Sequence, residues 1–204
     1  VNPVNDAPII QEAEDQTILE NESGIFTFEV SDVDTGEVFS LAAISDSSFV
    51  SVTPNSNGLS ITANSPTDWY GSTKITVIVS DGELTDTTDF TITVDPVNDA
   101  PIIAPAEDQV VMEDEIEVFS FEVTDIDTGE TFELSVFSDT SSVLVFADSE
   151  NLTITASPVL DWNGTTDITT IVSDGELTDT TIFVLRVNPV NDAPIIQEAE
   201  DQTI

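Results

Sequence analysis

Oxygen-bearing side chains recur in this chain at matched positions. Glu20 is answered by Glu113, Asp32 and Asp34 by Asp125 and Asp127, Asp68 by Asp161, and Asp81 by Asp174. The pair Asn5-Asp6 returns as Asn98-Asp99 and Asn191-Asp192. A charge needed only for solvation has no reason to keep its register, so these acids are candidates for a shared task. Carboxylates held close together repel and raise one another's pKa, and a divalent cation removes that penalty. A hard ion that takes several oxygen ligands suits Asp, Glu and Asn, which points to calcium.

The composition removes most other chemistry. There is no Cys and no His, so thiol nucleophiles, disulfides, zinc or haem ligation and imidazole acid–base catalysis are absent. Against 41 Asp plus Glu stand only Lys74 and Arg186, a net charge of −39. Such a surface repels phosphate backbones and anionic headgroups, which excludes nucleic acid and membrane surfaces as partners. No apolar run approaches the length of a membrane span, so direct membrane insertion is not expected. The absence of an initiator Met or a signal-like n-region points to an excerpt of a longer polypeptide.

The elements that position the acids follow from an internal repeat. VNPVNDAPII at Val1 returns as VDPVNDAPII at Val94 and as VNPVNDAPII at Val187, each 93 residues after the last. Apolar residues alternate with period two in each copy: Phe26, Phe28 and Val30; Phe39, Leu41 and Ala43; Leu59, Ile61 and Ala63; Phe90, Ile92 and Val94. The second copy repeats them as Phe119, Phe121 and Val123; Phe132, Leu134 and Val136; Leu152, Ile154 and Ala156; Phe183, Leu185 and Val187. Further strands are expected at Gln16–Leu19, Phe49–Val52 and Lys74–Ser80, with turns at Asn57-Gly58 and Asp81-Gly82. The reading is all-β, tandem seven-stranded Greek-key β-sandwiches. Thr170 takes the inward place of Val77 and is expected near a sheet edge. Trp69 and Trp162 are expected to plug a sandwich end rather than stack on sugar.

The divisions are a joint from a preceding repeat at 1–8, a sandwich at 9–94, a joint at 95–101, a second sandwich at 102–187, and a joint with the start of an incomplete third repeat at 188–204. Pro96 and Pro101 cannot donate to a ladder, so these segments read as short, stiff connections.

At this point the sequence resembles the cadherin repeat, and more closely the VNDAP-type cadherin-like tandem repeats of very large secreted bacterial surface adhesins. The resemblance covers the whole chain and rests on Ile18-Leu19-Glu20-Asn21, Asp32-Val33-Asp34, Ser80-Asp81-Gly82 and Val94-Asp95-Pro96-Val97-Asn98-Asp99-Ala100-Pro101. It implies sandwiches of cadherin/Ig-like type with calcium ions between consecutive domains. Glu20 and Asp68, the joint residues Asp95, Asn98 and Asp99, and Asp125, Asp127 and Asp174 would hold them at the complete central joint. Asn5, Asp6, Asp32, Asp34 and Asp81 would form an N-terminal half-joint. Glu113, Asp161, Asn191 and Asp192 would form a C-terminal one, expected to bind weakly because no Asp-x-Asp follows. Animal joints of the family carry one more Asn and an Asp-x-Glu where this chain has Asp68-Trp69, which leaves the ion number open.

The blander reading of the recurring acids is a solvated anionic coat. The function expected is a non-enzymatic, extracellular, bacterial cell-surface stalk repeat stiffened by calcium. It is monomeric, contacts neighbouring repeats of its own chain, and projects a terminal binding domain. The alternative is a cadherin-like module that itself binds polysaccharide or another copy of itself. A glycosidase using two carboxylates is disfavoured, because a compact sandwich leaves little room for a cleft.

Overall fold

The computed structural model describes residues 4–56 and 58–196. Residues 1–3 and 197–204, the outer parts of the two terminal segments, and Asn57 of the expected Asn57-Gly58 turn lie outside the described residues. The chain divides into two units, Val1–Val97 and Asn98–Ile204.

In unit 1 the order is β1 (Ile9–Ile10), β2 (Gln16–Leu19), β3 (Ser23–Thr27), β4 (Val30–Ser31), β5 (Ser40–Ser45), β6 (Ser51–Pro54), β7 (Ser60–Asn64), β8 (Gly71–Ser80) and β9 (Thr85–Asp95). A four-stranded sheet β2-β9-β8-β5 faces a three-stranded sheet β3-β7-β6, and β1 pairs with β4. The β2–β9 pairing is parallel. Unit 2 repeats the plan with β10 (Ile102–Ile103), β11 (Gln109–Met112), β12 (Glu117–Ser120), β13 (Val123–Thr124), β14 (Glu133–Ser138), β15 (Val143–Asp148), β16 (Thr153–Pro158), β17 (Gly164–Ser173) and β18 (Thr178–Asn188). No helix occurs among the described residues.

The alternation fixes the core. Ile61, Ala63, Ile75, Val77, Val79, Phe90, Ile92 and Val94 are buried between the sheets of unit 1, and Ile154, Ala156, Ile168, Val172, Phe183, Leu185 and Val187 between those of unit 2. Burying each large apolar side chain contributes about 1.5–3 kcal/mol. Phe90 sits at the centre of an aromatic cluster with Phe26 and Phe28, ring centroids 5.8 and 6.0 Å away, and Phe183 does the same with Phe119 and Phe121.

The expected strand through Phe26, Phe28 and Val30 is broken at Phe28-Glu29. There the Phe28 N–H donates to the Leu59 carbonyl and the Glu29 carbonyl accepts from the Gln11 N–H. The chain thus changes partner from β7 to β1. The β8–β9 hairpin is longer than the apolar pattern implies, with ten paired positions from Gly71–Val94 to Ser80–Thr85. Its Thr-rich start, which includes Thr85, Thr87 and Thr88, has strong β propensity without an apolar stripe.

Thr170 does not lie at an edge. It is on β17, flanked by β14 and β18, and is fully buried, and its Oγ1 has no hydrogen-bond partner. A buried hydroxyl without a partner costs about 1–3 kcal/mol, and Val has the same shape. Thr170→Val should therefore stabilise unit 2 by about 1–2 kcal/mol in urea unfolding. A destabilised variant would mean that the hydroxyl is satisfied in solution.

Candidate metal centre

The acids gather at the ends of the sandwiches, where strands turn or the chain exits. At the N-terminal end of unit 1, Asp32 and Asp34 follow β4 and Asp81 begins the β8–β9 turn. The Asn5 Nδ2 donates to Asp81 Oδ2 at 2.9 Å, the Asp6 N–H to Asp34 Oδ2 at 2.9 Å, and the Asp34 N–H to Asp32 Oδ1 at 2.9 Å. Asn5, Asp34 and Asp81 border an open cleft of about 690 Å³. Unit 2 builds the same end. Asn98 Nδ2 donates to Asp174 Oδ2 at 3.0 Å, the Asp99 N–H to Asp127 Oδ2 at 2.8 Å, and the Asp127 N–H to Asp125 Oδ1 at 3.0 Å.

At the C-terminal end of unit 1, Glu20 pins the exit of β9. Its N–H donates to the Asp95 carbonyl at 2.9 Å, and its Oε1 accepts from the Val97 N–H at 2.6 Å. Glu20 is 2% exposed. Glu113 does the same for Asn188 and Val190 and is 3% exposed. Asp68 and Asp161 adopt φ of 56° and 59°, a left-handed conformation in which Asp and Asn are tolerated. Their register thus has a backbone reason independent of any ligand role. Among the described residues Asp68 makes no hydrogen bond with Glu20 or Asp95. Of the central set, Glu20, Asp68 and Asp95 belong to unit 1, whereas Asn98, Asp99, Asp125, Asp127 and Asp174 belong to unit 2.

The C-terminal end of unit 2 adds a residue that the register of acids passes over. Carboxylate oxygens of Asp114, Asp161 and Asp192 lie within 4.8 Å of one another. Asp114 stands where the first repeat has Asn21, so a search for acids in register omits it; its Oδ1 accepts from the Asp161 N–H at 3.0 Å. Asn191 turns its Nδ2 to the Asp192 carbonyl. Desolvation, then the charges of Asp192, Asp114 and Glu113, push the Asp161 carboxyl above the usual range.

Asp81 and Asp174 shift the other way. The N–H groups of Leu84 and Leu177, then those of Glu83 and Glu176, then Asn5 and Asn98, hold their carboxyls below the usual range. A folded pKa below the unfolded one contributes stability that is complete above the ordinary Asp value and is lost as the pH falls through the folded value. For Asp161 the sign reverses: its ionised form opposes folding as the pH rises through the raised value. In an acid titration followed by NMR, the Leu84 and Leu177 amides should move only below the usual Asp range. Midpoints inside that range would mean that these turn bonds do not hold in solution.

Whether these groups suit a divalent cation is tested by the oxygens left over. Glu20 Oε2, Asp32 Oδ2 and Asp125 Oδ2 are buried and accept no hydrogen bond. The one ion pair among the described residues, Lys74 Nζ to Asp89 at 2.8 Å, lies elsewhere. Buried carboxylate oxygens without donors are expensive unless a cation meets them. The donor set, all oxygen, fits calcium.

Residues 5–93 match the family described as bacterial Ig domain. The chain is similar to Drosophila N-cadherin EC1-4, at 15% identity and a TM-score of 0.59, covering 90% of this chain and 50% of that one. It is likewise similar to human protocadherin-24 EC1-2, at 16% identity and a TM-score of 0.58, covering 90% of this chain and 100% of that one. An endo-fucoidan hydrolase of glycoside hydrolase family 107 overlaps with 94% of the chain at 20% identity and a TM-score of 0.40, and the chain spans only 30% of its length. No curated protein matches the sequence. The fold is an Ig/cadherin-like all-β sandwich, present twice.

Proposed function

We propose that this chain is a calcium-rigidified extender of a large bacterial cell-surface adhesin, one stretch of a longer series of sandwiches that carries a terminal binding domain away from the cell. The observation that carries the reading is the set of buried, donor-less carboxylate oxygens on Glu20, Asp32 and Asp125, each on a segment where a strand ends or the chain leaves a sandwich. Glu20, Asp68 and Asp95 would hold calcium together with Asn98, Asp99, Asp125, Asp127 and Asp174. The ion would supply charge neutralisation and several oxygen contacts at once. The protein's own part is to hold the acids in place: Glu20 clamps the Val97 N–H, and Asp127 clamps the Asp99 N–H.

Extracellular modules bind calcium at roughly 10⁻⁴–10⁻³ M, so such a chain is loose in a cytosol and stiffens outside it. With strands of about ten residues at about 3.3 Å each, plus a connection, a repeat should add roughly 40 Å. Calorimetric titration with calcium should show saturable binding in that range, and small-angle scattering should show a larger maximum dimension in calcium than in chelator. An unchanged dimension would refute the stiffening.

A binding role for the sandwich has one observation in its favour. In unit 1, Phe49 stacks on Trp69 with centroids 5.2 Å apart, and both Phe49 and Tyr70 are exposed. Unit 2 has Ser142 and Asn163 at the matching places. A glycan-array signal lost in Phe49→Ala would favour that reading over the spacer.

A further inference from the structure

We infer that the residue following each Trp, Tyr70 in unit 1 and Asn163 in unit 2, decides whether the buried glutamate of that unit's C-terminal end is left for a divalent cation or is satisfied by the protein itself. This rests on the calcium reading above and makes the two ends, near-copies in sequence, unequal in their need for the ion.

Glu20 and Glu113 are equivalent in almost every contact. Both are nearly fully buried, both donate their N–H to the last residue of the final strand, and both accept from a valine N–H through Oε1, at 2.6 and 2.7 Å. They differ at Oε2. In unit 2 this oxygen accepts from Asn163 Nδ2 at 3.2 Å. In unit 1 the matching residue is Tyr70, 48% exposed, and Glu20 Oε2 is buried with no hydrogen bond. The fixed charge of an external cation is what remains to meet it. Two further exchanges go with this one. Asn188 replaces Asp95, and Asp114 replaces Asn21, so unit 2 moves one carboxylate from the strand end onto the exposed trio with Asp161 and Asp192.

The consequence is a graded dependence. Without the ion, Val97 is held by a half-satisfied carboxylate and its hydrogen bond should open readily; Val190 is held by a carboxylate anchored from both sides. Hydrogen exchange of these two amides in the intact chain reads the difference directly. In chelator the Val97 amide should exchange about tenfold faster than that of Val190, and calcium should slow Val97 by more than about tenfold but Val190 by less than about threefold.

Tyr70→Asn should raise Val97 protection in chelator and shrink its response to calcium. Asn163→Tyr should do the reverse at Val190, and Asn163→Asp, which keeps the size but loses the donor, guards against misfolding of the larger variant. Equal protection of the two amides in chelator, or an Asn163→Asp chain whose Val190 amide is unchanged there, would overturn the inference. Failure of the calcium reading looks different: the wild-type chain would show no calcium effect on either amide, while the chelator experiment would still report on position 70 and position 163.

Discussion

Asp125→Asn combined with Asp127→Asn should abolish most of the calcium-dependent rise in the melting temperature of unit 2 while leaving its metal-free stability nearly untouched. A ligand that binds only the folded state adds RT ln(1 + [L]/Kd), about 2.7 kcal/mol at a hundredfold excess over Kd. For a domain of about 100 residues that is roughly 10–20 °C in Tm. Replacement by Asn rather than Ala isolates the charge. An amide oxygen at position 127 can still accept from the Asp99 N–H, and one at position 125 from the backbone N–H two residues on, as the Asp127 and Asp125 carboxylates do in the wild type. In chelator the exchange at position 125 replaces a carboxylate oxygen that is buried without a donor by an amide nitrogen equally without a partner there, so the cost of the unpaired atom is carried over and the stability should change little. A purely structural role predicts the opposite pattern, with a loss of similar size in calcium and in chelator. Scanning calorimetry under both conditions separates the two, and equal losses would end the ligand assignment.

That contrast matters because register alone does not mark a ligand. Asp15 and Asp86 recur as Asp108 and Asp179, and they serve the backbone: Asp15 accepts from the Thr91 N–H, Asp86 from the Ile10 N–H, and their copies from the N–H groups of Val184 and Ile103. Asp174, placed in the calcium set above, and its counterpart Asp81 also accept from turn N–H groups through Oδ1 and from an Asn amide through Oδ2, so for them only a second lone pair of Oδ2 is left to a cation. What separates Glu20, Asp32 and Asp125 from these is an oxygen left over after the internal donors are counted. No sequence pattern reports that, because it depends on which N–H groups the turn geometry delivers.

The fold was far more legible than the site. Period-two alternation at Phe90-Ile92-Val94 and Leu59-Ile61-Ala63 is enforced by burial of one sheet face, and a slip of one residue would expose the entire set. β1 escaped because two residues carry no period; Ile9–Ile10 is defined by its pairing with Val30–Ser31 across the chain. Thr170 misled because a polar residue at an inward place suggests an edge, whereas the structure tolerates it in a central strand at a cost in stability. Asp114 was invisible because its first-repeat partner is Asn21. Both residues sit at positive φ, 67° and 64°, so the backbone accepts either and the charge is free to vary.

The second large effect concerns the turn that carries Asp161. Gly164 opens β17, and a methyl group on its Cα would lie 2.9 Å from Trp162 Cζ2 and 3.3 Å from Cη2. The ring cannot give way easily, since Trp162 packs against the buried core of unit 2. Gly71 has the same relation to Trp69 at 3.2 Å, with φ of 147°, a region that side-chain-bearing residues rarely adopt. Gly164→Ala should therefore cost unit 2 about 2–4 kcal/mol in urea unfolding, and Gly71→Ala a comparable amount in unit 1. The effect should not stop at stability. Trp162 is flanked by Asp161 and Asn163, and its own N–H donates to the Val159 carbonyl at 3.1 Å. Pushing the ring shifts both neighbours, so Asn163 should lose its bond to Glu113 and Asp161 its place beside Asp114 and Asp192. The Val190 amide of Gly164→Ala should then exchange faster than in the wild type under native conditions, where the unit remains folded. If the variant unfolded earlier but kept wild-type protection at Val190, the Trp would be a core plug alone, with no part in setting the carboxylates around it.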